Sequence, residues 1–442
     1  MWAWLACGTP GLTPAGVDGV QAVPWTPSLP MSSEFGTHRG LTPFRTIVHL
    51  HSPWSHDACD GVPLIDGQPD PACVDDLRAA LCTTRVDVAF LTDHPEHAAF
   101  QSYGALFHEQ PGDVVEDGAN RITCEDGHSV RLKPGIEDEL MPIGLDRHVS
   151  EDSAVNDAVY NSGEPSAIAD EIDAGAVVLL AHTEQRDRAT LEAQQDAGLT
   201  GVELFNLHAM FDPDIREEAF GLDGLGWVTD IAPFTDPEQT TEPDLLVLGV
   251  LAEQTPSLAH LDALAARGHI VGVAGTDAHQ NVLPILLKDG ERGDSYRRML
   301  RWFSNVVFAE TADGVEAALA AGQVAVAFEI LGTPVGIDFT LDSPGGVVEM
   351  GGEGGEGLLW VGCPTVSSSS PSDGNVPEIL TTVFRDGVAW REGCGVWETE
   401  GPAVYRVRHD IVPEHLRVFL GEDPDPWIHP WPWVYTNPIW VR

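Results

Sequence analysis

A chain of 442 residues, 43% of them apolar, is long enough to bury the core of one barrel-sized domain and a smaller one. Its 69 acidic residues against 23 basic ones leave a formal charge of −46, with lysine only at Lys133 and Lys288. A nucleic-acid partner, held by clustered Lys and Arg, is therefore not expected. No run of about 18 apolar residues could span a bilayer, and the acidic balance reads as solvation in salt or in an exposed, extracytoplasmic setting.

The chain opens Met1-Trp2-Ala3-Trp4, without the positive start of a secretory signal. Leu5-Ala6-Cys7-Gly8 nevertheless resembles the end of a bacterial lipoprotein signal, as if the start lay inside it. Cys7 is then the expected lipid anchor of a periplasmic or cell-surface protein; the alternative is an ordinary start in a cytoplasmic one. Residues 8–43, rich in Pro, Gly, Thr and Ser, read as a linker, so that 1–43 is signal remnant and linker.

Order begins at Phe44. Up to about residue 334, apolar runs at 47–50, 86–91, 130–136, 176–181, 201–205 and 270–274 predict strands. Amphipathic patterns at 74–81, 166–174, 189–197, 257–266, 296–304 and 314–321 predict helices. This alternation implies an α/β fold with a parallel sheet, and the number of repeats suits a barrel, whose strand C-termini share one face. Segments 97–129 and 207–255 interrupt the pattern as excursions above the strand ends or simple insertions. From 335 to 442, alternating strands separated by Pro and Gly predict a small antiparallel sandwich. The aromatic tail 427–441 is expected to pack between the two parts rather than lie in solvent.

Besides Cys7, the cysteines are Cys59, Cys73, Cys82, Cys124, Cys363 and Cys394, an even set compatible with disulfides in an oxidising compartment or with buried thiols. Cys363 with Cys394 would staple the C-terminal region. No CxxC pair announces a structural zinc knot.

Several apolar runs end in histidine, usually with aspartate. His49 and His51 stand at i and i+2 on extended chain and so face one object, for which a metal ion is the natural candidate. Thr92-Asp93-His94, Ala181-His182 and Asp277-Ala278-His279 end three further runs. Together with Ser55, Asp57 and Gly135-Ile136-Glu137, this ordered set resembles the motifs of the PHP (polymerase and histidinol phosphatase) superfamily of metallohydrolases, over residues 44 to about 330. Residues 323–332, the β region and the terminal Thr436-Asn437-Pro438-Ile439 are similar to its carbaryl hydrolase-like branch.

The resemblance implies a distorted (β/α)7 barrel over 44–334, before the β domain of 335–442, with two or three divalent ions (zinc, iron or manganese) at the strand ends. By motif, His49 and His51 bind a first metal and Glu137 bridges it to a second, completed by His182 and His148. Asp57, His94 and His279 hold a third, and Asp277 is an anchor shared with the first. His56 is the alternative to Asp57, and His128 to His148. Asp93 and Asp277 are the catalytic candidates, Asp93 either orienting its neighbour or acting as general acid, with a turn residue as its plain reading. Arg147, Arg186 and Arg188 are candidate forks for a substrate anion, or surface salt bridges. Glu203 and Asn206 end another strand on the same face and are candidate substrate or supporting contacts.

The expected function is a multinuclear metal-dependent hydrolase in which a metal-bridging hydroxide cleaves a phosphoester or a carboxylic or carbamate ester of a small molecule. The rival from another class is a non-catalytic surface protein that binds metal for stability and a ligand through its β domain.

Overall fold

The computed structural model describes residues 20–442, so Cys7 and most of the expected signal remnant lie outside the described residues. The fold is mixed α/β, built on a large mixed sheet with smaller antiparallel sheets beside it. Strand β1 (Thr42–Ile47) pairs in parallel with β2 (Val88–Asp93), and β2 in parallel with β3 (Ser129–Ile136). The short β4 (Met141–Ile143) runs antiparallel between β3 and β5 (Val177–Leu180). From β5 the pairing is parallel again, to β6 (Gly201–Asn206) and then to β7 (Val271–Gly275). Just past β1 and β7, Leu50 forms a parallel bridge with Ala278, which brings the two ends of this series together.

These strands are buried nearly throughout, as continuous apolar runs covered on both faces must be. The helices over them are cut by local chemistry. Helix α1 (Pro71–Thr83) starts with Pro behind an Asp70 cap and buries Val74, Leu77, Ala80 and Leu81, a helical stripe. Helix α2 (Pro165–Asp173) leads into β5, and α3 (Arg188–Ala197), capped by Asp187, stops at Gly198 in the left-handed region. Helix α4 (Thr255–Arg267) turns Leu258, Leu261, Leu264 and Ala265 inward ahead of β7.

The sheet runs on across residue 335. Strand β8 (Ser304–Ala309) pairs antiparallel with β1, β9 (Val324–Ala327) with β8, and the C-terminal strand Trp431–Thr436 with β9. Strand Ala403–Val412 and its neighbour Glu378–Arg385 extend the antiparallel series. The aromatic tail is buried where the parts meet: Trp433 Nε1 donates to the Gly332 carbonyl and Trp440 Nε1 to that of Ala265. Asn437 bonds both backbone groups of Gly272 in β7. A fully buried Arg45–Glu329 pair at 2.7 Å, completed by Ser304 and Thr333 hydroxyls, ties β1 to the turn after β9.

Three disulfides join Cys59 to Cys73, Cys82 to Cys124 and Cys363 to Cys394, the last as the sequence suggests. Segment 97–129 supplies a hairpin whose second strand, Ala119–Thr123, pairs with β3. Segment 207–255 is a set of short helices anchored by buried Asp244, which binds Arg297, Arg298 and Trp25. No helix of the described residues is long and apolar enough to cross a membrane.

One buried charge stands apart. Both Glu171 carboxyl oxygens are buried with no hydrogen-bond partner among the described residues, and burial pushes this group up to about 9. A folded value above the unfolded one means that stability is complete below about pH 4.5 and lost as the pH rises towards 9. Glu171→Gln is therefore expected to raise stability by about 1–3 kcal/mol above pH 9 and to change little at pH 4. Denaturant unfolding at the two pH values measures it; equal effects at both would contradict the assignment.

Candidate metal centre

The loop leaving β1 presents His49 and His51 on the same side, both fully buried. His49 Nδ1 donates to Glu203 Oε1 at 2.8 Å, and His51 Nδ1 to Ser55 Oγ at 3.0 Å, which in turn donates to Asp57 Oδ1. With both Nδ1 atoms donating, the Nε2 atoms that face each other at 3.1 Å are acceptors, an arrangement satisfied by a shared cation. Asp277 Oδ1 lies 3.5 Å from His49 Nε2 and 3.0 Å from His51 Nε2. Donors about 2.1 Å from a tetrahedrally bound ion stand about 3.4 Å apart, so this trio fits a first-row divalent metal.

The other donors gather around it. Glu137, at the end of β3, puts Oε1 3.5 Å from His182 Nε2, while its backbone carbonyl accepts from His94 Nδ1 at 2.9 Å and so turns His94 Nε2 towards Asp57. His182 also reaches Asp277 Oδ2 at 3.5 Å. Asp57 Oδ2 lies 3.7 Å from both His94 Nε2 and His279 Nε2. Within this cluster three groups are close enough to hold ions: His49, His51 and Asp277; His49, Glu137 and His182; His51, Asp57 and His94. His51 thus takes the place expected of His279 beside Asp57 and His94, and neither His279 nor His56 belongs to these groups; His279 lies next to Asp57, and His56 sits at the rim beside Glu96.

Glu203 and Asn206 lie behind the donors. Buried Glu203 accepts from His49, from the His182 backbone N–H and from Asn206 Nδ2, so it supports ligands and does not line the cleft. A Cβ on Gly275 would overlap the Glu203 carboxylate and crowd His49 Nδ1, so glycine is required where β7 passes. His182 and Asp277 both take the left-handed backbone uncommon for residues with a side chain, a strain that recurs at functional sites.

The charges are mutually supporting. Burial works against ionisation of His49, but Asp277 and Glu203 outweigh it and hold the ring up at about 9. His182 is likewise raised to about 10 against burial by its bond to Glu137 and the surrounding carboxylates. Burial would raise Glu137, yet His182 and the neighbouring rings hold it down at about 2. His51 is lowered to about 4 by burial. The cluster thus concentrates carboxylate charge at one buried point, where dications would replace protons.

Some expected residues lie elsewhere. His148 bonds Tyr160 and the Gln101 carbonyl, and His128 bonds the Val86 carbonyl, so neither reaches the cluster. Asp93 is buried behind it, accepting from the Ser52 amide and from Ser52 Oγ at 2.7 Å; it does not line the cleft, and His94 is held by the Glu137 carbonyl instead of by Asp93. Ser52 is itself bonded by His108, a contact with no sequence signal. Arg147 binds Asp173 on the surface and Arg188 binds His260 and the Ala259 carbonyl. Arg186 alone of the three lines the cleft, its guanidinium held by Glu139 at 2.7 Å.

His208 is the residue that sequence reading missed. It packs edge-on against His182 and points Nδ1 at Asp277 Oδ2, 3.8 Å away. Its signal was the one used elsewhere, a histidine just beyond a strand end, here two residues past Asn206. The cleft above the cluster, of about 590 Å3, is lined beyond the donors by Glu96, Asp138, Glu184, Arg186, His208 and Ile215.

No protein-family model and no curated protein matches the chain. Among solved structures, PsfC from Pseudomonas syringae PB-5123 is similar over 60% of this chain and 82% of its own, at 13% identity and a TM-score of 0.32. A likeness of that size carries no argument about function, which rests on the site.

Glu203→Gln is expected to weaken metal binding about 10–100-fold while leaving far-UV circular dichroism unchanged, because an amide offers one oxygen and no charge where His49 Nδ1, the His182 N–H and Asn206 Nδ2 share two carboxylate oxygens. Competition with a chromogenic chelator measures it; unaltered affinity would remove Glu203 from the centre.

Proposed function

We propose that this protein is a metal-dependent hydrolase of the PHP superfamily, in its carbaryl hydrolase-like branch, acting on a small ester or carbamate. The observation that carries this reading is the convergence of Asp57 after β1, His94 after β2, Glu137 after β3, His182 after β5, and Asp277 and His279 after β7 on one cleft floor, with His49 and His51 buried directly beneath it against Asp277. The strand series β1 to β7, brought together by the Leu50–Ala278 bridge, supports a distorted (β/α)7 barrel.

Two or three divalent ions, when bound, supply Lewis acidity and ionise water near neutral pH. The chain's own residues prepare that chemistry. Glu203 and Ser55 fix the tautomers of His49 and His51 so that Nε2 faces inward. Glu137 joins the His94 and His182 sides of the site. His208, on the cleft wall with Nδ1 towards Asp277, is placed to carry a proton to a leaving group.

The rim favours carbon esters over phosphate monoesters. Glu96, Asp138 and Glu184 line it, Arg186 is engaged by Glu139, and Arg147 lies outside it, so no free guanidinium fork awaits a dianion among the described residues. The three disulfides support a life in an oxidising, extracytoplasmic compartment.

Elemental analysis of the purified protein, with turnover of aryl ester, aryl carbamate and aryl phosphate panels, tests the reading. His51→Ala and Glu137→Ala are each expected to lower ester or carbamate turnover about 100-fold or more, with the near-UV signal of the C-terminal tryptophans kept. Undiminished turnover in either variant would overturn the site. Bound metal without cleavage of any panel member would favour the metal-stabilised ligand-binding protein.

A further inference from the structure

The cleft wall holds a carboxylate with an unmet bond. Glu184 follows the donor His182 by two residues, is 6% exposed and lines the cleft. Its Oε2 is buried without a hydrogen-bond partner among the described residues. A buried acceptor of this kind costs stability unless something donates to it. The cationic side chain nearest in sequence, Arg186, is turned to Glu139. Glu96 and Asp138 add two more carboxylates to the same cleft, at positions outside the three donor groups. With the donors committed to ions, what remains of the lining is net acidic, with one unpartnered carboxylate oxygen beside the floor.

We propose that Glu184 is a specificity residue that receives a positively charged, hydrogen-bond-donating nitrogen of the ligand, so that the favoured substrates are small esters or carbamates bearing an ammonium or similar cation. The inference rests on the hydrolase reading for the word substrate; recognition of the cation itself does not depend on turnover. An ammonium held at the Glu184 carboxylate meets the acidic wall with opposite charge, whereas a carboxylate or phosphate of the same size meets like charge there and is drawn instead to the ions of the floor. A neutral alcohol supplies the donor without the charge and is the reference.

The test measures equilibrium binding of three probes of one shape, benzylamine, benzyl alcohol and benzoate, to the metal-loaded full chain by calorimetry at neutral pH. Benzylamine is expected to bind about tenfold or more tighter than benzyl alcohol, while benzoate, whose carboxylate can ligate the floor ions, is expected to lose no affinity in Glu184→Gln. Glu184→Gln is expected to remove the benzylamine advantage, and Glu184→Asp to keep part of it, with metal content equal to wild type in both. Equal binding of the amine and the alcohol, or an amine preference unchanged in Glu184→Gln, would overturn the proposal. Should both variants lose metal, the wild-type preference for the amine over the alcohol still decides. Amine selectivity without hydrolysis of any panel ester would sink the hydrolase reading and leave this one standing; hydrolysis without amine selectivity would do the reverse.

Discussion

The contact between the segments that follow β1 and β7 is the constraint on which the rest depends. The His51 amide donates to the Ala278 carbonyl, and the Asp277 amide and Thr276 hydroxyl both donate to the carbonyl of His49. These bonds join residues more than two hundred positions apart and set the two histidines of one loop against the aspartate of the other. Every other donor is referred to that frame: Glu137 reaches it through His182, and Asp57 through His94 and His279. A backbone bridge suits this task because its geometry leaves little slack, whereas side chains alone pay rotamer entropy to hold a fixed spacing.

The frame also explains the electrostatics. His49 and His182 pushed up and Glu137 held down in one buried volume mean that the protein has gathered opposite charges where water screens them poorly. Such a cluster is costly as a plain ion network, since desolvation opposes the mutual attraction. Its supports, Glu203 behind His49 and Ser55 behind His51, fix ring orientation, which a structural ion pair does not need but a ligand set does.

Much of this was legible in the sequence because strand-end donors follow from two local facts, an apolar run and the polar residue that ends it. The helices were legible from period and caps, as with Asp70-Pro71 ahead of α1 and Gly198 behind α3. What failed needed distances the sequence does not carry. His148 sits in the right stretch of chain but turns to Tyr160, and Arg147 follows a strand-end motif yet faces solvent. Glu203 was placed on the correct face, but whether it touched ligand or substrate depended on the close passage of Gly275. The C-terminal strands alternated as antiparallel strands should, while their continuity with β9 depended on a long-range pairing invisible to local pattern.

The Cys59–Cys73 link has a consequence for how the molecule matures. Cys59 follows Asp57 by two residues, its amide bonds the His279 carbonyl, and its sulfur is fastened to α1. The loop that delivers Asp57 is thus clamped by a crosslink that only an electron-accepting environment installs. A chain would reach its final form in two stages, first the hydrogen-bonded scaffold and then, after thiol oxidation, the tethered Asp57 loop. On the reading proposed above, ion loading would wait for that second stage.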